Sequence, residues 1–372
     1  MKKQTFILIV LAIFIIGAIY YFESTKVKPT SKIGEDFIQN EAQAIEQTQP
    51  LLKDGKYQLA PELTGITGYI YTEEGVQIKD FRGKVVLIDF WTYSCINCIR
   101  TLPHLVAWDH KYKDKGLVII GVHTPEFEFE KDTENVRMAA EKYDIEYPIV
   151  QDNNYATWSA FRNRYWPRKY LIDADGYIRY DHIGEGGYEE TELKIQELLA
   201  EINVNIEEMG TTAIPDATPT KPTTPELYAG YAFALNRGQN IGNKEGLQVD
   251  QTIDYSLPET IEPNVIYLDG LWKNNKDNLE AKEVGTSILL NYIANDVNIV
   301  AMDGDAELEV FIDGSYITSE AAGTDVEFDG ERAFIEINEP RLYNLVDSSY
   351  ERHTLKLKAS KSGFSFHAFT FG

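Results

Sequence analysis

Cysteine is the scarcest reactive residue in this 372-residue chain, which has two, Cys95 and Cys98. Two cysteines in so long a chain cannot form a disulfide framework. With no third thiol, the pair can react only with each other or with a partner molecule. Basic residues are also few: 35 Lys and Arg stand against 59 Asp and Glu, a net charge of −24. That balance argues against nucleic acid and anionic lipid surfaces as partners and fits an exposed, soluble body. A metal site would need two more soft ligands beside the cysteines, and His104, His110 and His123 are not spaced to supply them. No metal or bound cofactor is therefore expected. No fixed-period repeat is present.

Long apolar runs are rare as well. The one near the start, Thr5 to Phe22, is close to the roughly 20 residues that span a bilayer. Lys2 and Lys3 precede it and Tyr20-Tyr21 close it, which predicts a cytoplasmic N-terminus and an exported body. No small-x-small cleavage site follows the run and no cysteine for a lipoprotein signal lies near it. Residues 1–24 are thus expected to be an uncleaved signal anchor, and the polar residues 25–59 a stalk.

At this length two cores are expected. Residues 60–208 read as a first domain of layered α/β type. Leu63 to Tyr71 reads as a strand that Thr72–Gly75 turns back into Val76–Ile78. Val85–Trp91 is a buried strand leading to a helix that begins at Cys95. Leu117–His123 is a second buried strand, residues 126–143 a charged amphipathic helix, and Tyr147–Val150 a short strand. Lys169–Asp173 and Tyr177–Asp181 flank Ala174-Asp175-Gly176, a hairpin signal, and a last helix covers residues 189–202. The Thr/Pro-rich residues 209–225 predict an extended linker. From residue 226 to 372 the period becomes two, with Asp303-Gly304, Asp313-Gly314 and Asp329-Gly330 as turns, which predicts an all-β sandwich or jelly roll.

The chemistry lies at the strand–helix junction, in the spacing C-x-x-C. A thiolate is the attacking species in disulfide exchange, and a helix N-terminus favours the anion through its free N–H groups and dipole. Cys95 is placed there, so it is the expected nucleophile. Cys98, one turn further in, is the expected resolving residue that attacks the mixed disulfide. Asp89 is a carboxyl in an apolar strand, costly to bury without a role.

These residues resemble the thioredoxin-fold proteins of the TlpA/redoxin type. Asp89, six before Cys95, matches their buried acid, implied to assist proton transfer to the resolving cysteine. Trp91 matches their tryptophan beside the active site, which implies that it contacts the substrate, and Pro103 their helix-kink proline. Pro167 stands where the family has its cis-proline, which implies that Trp166 presents backbone to the substrate. Ala60–Leu63, the segment from Trp91 to Leu105, Gly121–Glu126 and the β-rich C-terminal part further resemble the exported C-terminal part of the DipZ proteins. Those also carry a multi-span, CcdA-like electron-transfer module, whereas here a single expected helix stands in its place. The resemblance therefore implies thiol- or disulfide-bearing client proteins and a separate electron partner such as a CcdA-like protein. Ser94 replaces a second tryptophan, and Ile96-Asn97 is neither Gly-Pro nor Pro-His. The redox direction thus stays open at the level of sequence.

Two alternatives accompany this reading. Thr92-x-x-Cys95 resembles the peroxidatic motif of peroxiredoxins, although Asp89 stands where those have proline. Alternatively the β domain leads, as a tethered glycan-binding or adhesion module, with Tyr267 and Trp272, and also Tyr228 and Tyr231, as rings to stack on sugars. His123 and Glu126 read as hydrogen-bonded loop residues, with an acid–base role for Glu126 the lesser alternative.

Overall fold

A computed structural model describes residues 52–205, 209–302 and 306–372. The expected anchor, most of the stalk and the Asp303-Gly304 turn lie outside these residues. Among the described residues no helix is long and apolar enough to cross a membrane.

The N-terminal part is built on a six-stranded mixed sheet. In chain order its elements are β1 (Gly68–Ile70), β2 (Val85–Trp91), α1 (Ile96–Tyr112), β3 (Leu117–His123), α2 (Thr133–Lys142), β4 (Ile149–Gln151), α3 (Ala156–Ala160), β5 (Arg168–Ile172), β6 (Ile178–Ile183) and α4 (Tyr188–Glu201). The sheet order is β1-β4-β3-β2-β5-β6, with β2, β3 and β4 mutually parallel and β1, β5 and β6 antiparallel to their neighbours. This is the expected thioredoxin fold. All seven residues of β2 are buried, as a strand covered on both faces requires. Val86, Ile88 and Phe90 face one layer with Trp158, Phe161 and Tyr170; Val85, Leu87 and Trp91 face the other with α1 and α4.

Local chemistry explains where the expectations held. In the β5–β6 hairpin Asp173 Oδ1 accepts from Asp175 N at 3.1 Å and Tyr177 N at 2.9 Å, and Gly176 supplies φ +88°. It also explains two departures. Ile78–Phe81 is one tight helical turn, not a returning strand, because Asp80 caps the N–H of Gln77 at 2.8 Å and Ile78 buries in the core. The helix expected from residue 126 begins only at Thr133. Asp132, in extended conformation, caps it by accepting from Glu134 N at 2.8 Å. Glu128–Lys131 before it forms a separate turn, which directs Glu130 inward.

Among the described residues, 226–372 are all-β apart from one short helix. Their elements are β7 (Leu227–Tyr228), α5 (Tyr231–Asn236), β8 (Thr252–Tyr255), β9 (Ile266–Asn274), β10 (Leu279–Ala281), β11 (Ser287–Met302), β12 (Ala306–Ile312), β13 (Ser315–Tyr316), β14 (Glu327–Asp329), β15 (Arg332–Ile337), β16 (Arg341–Ala359) and β17 (Ser365–Phe371). They form a single hydrogen-bonded sheet that turns back on itself. The long strand β11 lies along β16 throughout. Its other edge pairs with β9 over residues 287–290 and with β17 over residues 297–302, the change of neighbour falling at register shifts near Ala294–Asn298.

For Trp272 and Tyr267 the sugar-stacking expectation fails. Trp272 is fully buried, its Nε1 donating to the Asp269 carbonyl at 3.0 Å. Tyr267 lies under Gly242, where any Cβ would come within 2.2 Å of the ring, and its hydroxyl accepts from Glu262 N at 3.0 Å. Both rings are core; neither has a face to offer a glycan.

Residues 53–372 make one compact unit. The Thr/Pro-rich segment is ordered against both domains: Thr212 bonds Glu192 through its N–H (2.7 Å) and hydroxyl (2.8 Å), and the Pro222 carbonyl accepts from Tyr350 at 2.5 Å. One apolar core runs from Tyr93, Phe127 and Phe129 of the first domain into Leu227, Tyr228 and Phe369 of the second. Each such ring contributes roughly 1.5–3 kcal/mol when fully withdrawn from water, enough together to fix the domains against each other.

Candidate active site

The strand β2 ends at Trp91, and Thr92, Tyr93 and Ser94 turn the chain into α1. Cys95 is the N-cap residue; its N–H donates to the Thr92 carbonyl at 3.4 Å and its carbonyl accepts from Ile99 N at 3.0 Å. Both cysteines are free thiols, Cys95 7% exposed and Cys98 1%. Burial pushes the Cys98 thiol well up, reinforced by its hydrogen bond to Cys95 and by the charge of Asp89. Cys98 is thus a thiol that keeps its proton until a base removes it.

Asp89 is the carboxyl whose charge acts on Cys98. It is buried, and neither of its oxygens has a hydrogen-bond partner. Burial pushes its carboxyl up to about 7, with Lys169 pulling the other way. Lys169 lies directly opposite in the β2–β5 register and is itself 1% exposed. Its Nζ donates to the Gly184 carbonyl at 3.1 Å, and burial pushes its ammonium down against the pull of Asp89. Sequence reasoning missed this lysine. The signal was a cation heading the apolar run Tyr170-Leu171-Ile172, and only the register shows what it opposes.

The peptide bond between Trp166 and Pro167 is cis. Trp166 is half-buried, its ring tilted against Trp158 at 4.2 Å, with Nε1 donating to the Thr124 carbonyl at 3.0 Å. Trp91 is a different case. It is fully buried, edge-on to His123 at 5.2 Å, and so close to Gly121 that a Cβ there would lie 2.8 Å from its Nε1. The expectation that Trp91 meets the substrate is corrected: it is floor, not surface.

His123 is also sealed in, its Nε2 3.3 Å from the Thr92 hydroxyl, and burial holds it down to about 3, so it is neutral. The Thr92 hydroxyl is buried and packs against an imidazole in the core. Glu126 is no catalytic group of the dithiol. It reaches the domain interface, where the Tyr228 hydroxyl lies 2.7 Å from its Oε1 and 2.8 Å from Glu226 Oε2. One O–H cannot serve two carboxylates, so one of them holds a proton; burial pushes both carboxyls up.

A groove of about 360 Å³ passes Ile96 and Asn97, the residues between the cysteines. One wall holds Arg100, whose guanidinium grips Glu185 (2.7 and 2.9 Å) and Asn97 (2.9 Å); Lys221 and Pro222 form another. Among the described residues no cluster of three or more His, Cys, Asp or Glu stands ready to hold a metal.

Two family models match the chain: the AhpC/TSA family over residues 39–181 and the thioredoxin-like C-terminal domain over residues 224–372. The chain is similar to Protein DipZ of Mycobacterium bovis, 41% identical over 329 residues, which is 86% of this chain and 44% of that protein. It thus spans less than half the length of that relative. It is similar also to the thiol-disulfide oxidoreductase YkuV of Bacillus subtilis, 34% identical over 38% of this chain and 94% of that one. A third relative, the thiol-disulfide oxidoreductase ResA of Bacillus cereus, is 29% identical over 33% of this chain and 68% of its own.

Proposed function

The chain belongs to the thioredoxin-like thiol–disulfide oxidoreductases, and on that premise we propose that it is held in a membrane by its N-terminal apolar run and exchanges disulfides with proteins outside the cytoplasm. The observation that carries the chemistry is the pair of hydrogen-bonded thiols at a helix N-terminus backed by an unpartnered buried carboxyl. The Cys95 thiolate attacks one sulfur of a client disulfide; a mixed disulfide forms and the client's other sulfur leaves as thiolate. Asp89 takes the Cys98 proton, and the Cys98 thiolate attacks the Cys95 sulfur. The Cys95–Cys98 disulfide forms and the client departs with both cysteines reduced. Run backwards, the same steps oxidise a client dithiol, so the partner's potential sets the direction.

The roles of the remaining residues follow from their places. The cis Trp166-Pro167 bond supports a role for that segment as a backbone edge for the client, and the groove along Ile96 and Asn97 would accommodate client chain. The electron partner is a separate protein, of the CcdA-like kind. Anchoring and export rest on Thr5–Phe22 and the lysines before it.

The test is a Cys98→Ser variant of the full chain in intact cells. Cys95 should accumulate reductant-sensitive adducts with client proteins, and these should be open to protease added outside the cytoplasmic membrane. Absence of any adduct through Cys95 defeats the exchange reading; adducts shielded from protease defeat the location.

A further inference from the structure

The segment between β3 and α2 is gripped from two sides. The β domain holds its outer side. Tyr228 binds Glu126, Asp277 Oδ2 accepts from Glu128 N at 3.3 Å, and His367 packs edge-on against Phe127 and Phe129 at 5.0 and 4.9 Å. On the inner side Glu130 is fully buried and its carboxylate gathers three donors: Ser94 Oγ at 2.5 Å, Glu126 N at 2.5 Å and Phe127 N at 2.9 Å. Ser94 immediately precedes Cys95 and lies inside the turn that Cys95 N closes on the Thr92 carbonyl.

We propose that Glu130 is a positioning residue for the dithiol: through Ser94 it fixes the turn that presents Cys95, and through Glu126–Lys131 it makes that turn answer to the docked β domain. A buried carboxylate cannot give up one of its donors without leaving polar atoms unsatisfied, so the link is stiff. The reduced state depends on the geometry of that turn, because the N-terminal peptide groups of α1 stabilise a thiolate only at short range. The second domain thereby acquires a function in the redox chemistry itself. This inference rests on the disulfide-exchange reading.

The experiment equilibrates the full-length protein with reduced and oxidised glutathione and reads the dithiol fraction by alkylation. The reaction is Cys95–Cys98 disulfide plus two glutathione thiols going to the dithiol plus glutathione disulfide. Ser94→Ala should move the equilibrium about tenfold toward the protein disulfide, about 30 mV for this two-electron couple. Tyr228→Phe, remote from the cysteines, should move it in the same direction by about threefold. Glu130→Gln should stay within about twofold of wild type, because the amide oxygen can accept the two N–H groups while its NH₂ donates to Ser94. Ser94→Ala within twofold of wild type overturns the proposal, as does a Tyr228→Phe variant that matches wild type. A Glu130→Gln variant that shifts as far as Ser94→Ala overturns it too, since charge would then be acting and not position. Failure of the wild-type protein to exchange with glutathione at all is a separate outcome: it defeats the parent reading.

Discussion

Asp89 and Lys169 oppose each other across the β2–β5 ladder, both sealed from solvent, and neither oxygen of Asp89 has a hydrogen-bond partner. An ion pair satisfied in every direction would be inert. This carboxyl is instead held near neutrality by burial and restrained by one cation, the condition a proton acceptor for Cys98 requires.

Asp89→Asn should slow the resolving step on the order of a hundredfold, the range of a lost general base. It should also abolish the rise of that step with pH near 7. Rapid-quench measurement of mixed-disulfide decay checks both, and an unchanged profile removes Asp89 from the mechanism. The same substitution should stabilise the fold. The folded carboxyl titrates at about 7 against an ordinary 3.8, so between those values the folded state binds more protons than the unfolded. Stability therefore falls as pH rises through that window and stays low above 7. Each tenfold difference in proton affinity is worth about 1.4 kcal/mol, so Asp89→Asn should gain on the order of 2–4 kcal/mol at pH 8 and little at pH 4, read by denaturant unfolding.

Lys169→Met keeps the length of the side chain and removes its charge. The lysine is what pulls the Asp89 carboxyl down against burial. Without it the carboxyl should hold its proton to higher pH, and the inflection in the resolving rate should move above 7. A profile with its inflection still at 7 would show that Lys169 does not act on Asp89.

Much of this site could be read along the chain because its parts are local. The run into Cys95, the acid six residues before it and the Ala174-Asp175-Gly176 turn are fixed by neighbours in sequence. What escaped reading is set by register and tertiary contact. Nothing within the sequence around Lys169 reveals that Asp89 faces it. Nor did the charged run from Glu126 show that Asp132 would end one turn and begin another, sending Glu130 to Ser94. Aromatic residues misled for a related reason. Trp91, Tyr267 and Trp272 carry the composition of a binding face, but exposure is a property of the layers above them, which no single stretch encodes.

If Trp272 is core, Trp272→Ala should destabilise the protein by about 3–5 kcal/mol, the usual range for emptying a buried aromatic site. Because one apolar core joins the two domains, the loss should appear in a single cooperative transition reported both by near-ultraviolet ellipticity and by Cys98 accessibility. Two separated transitions would show that the domains unfold independently.

His367 offers a test of the interface by acid. Its ring lies edge-on to Phe127 and Phe129, both ring nitrogens lack partners, and burial holds it down to about 4 against an ordinary 6.5. Between those values the unfolded imidazole binds a proton that the folded one refuses, so stability must fall as pH drops from 6.5 toward 4. That difference in proton affinity corresponds to roughly 3 kcal/mol. His123, held down to about 3, acts in the same sense and continues the loss to lower pH. His367→Leu removes one of these two groups and replaces an unpartnered polar ring with an apolar side chain. The variant should match or exceed wild type at pH 7 and should lose less stability on transfer to pH 4, by roughly 3 kcal/mol. Guanidinium unfolding of both proteins at the two pH values measures the difference directly. Equal losses in both would mean that the imidazole is already charged in the folded protein, and that water reaches the seam between the domains.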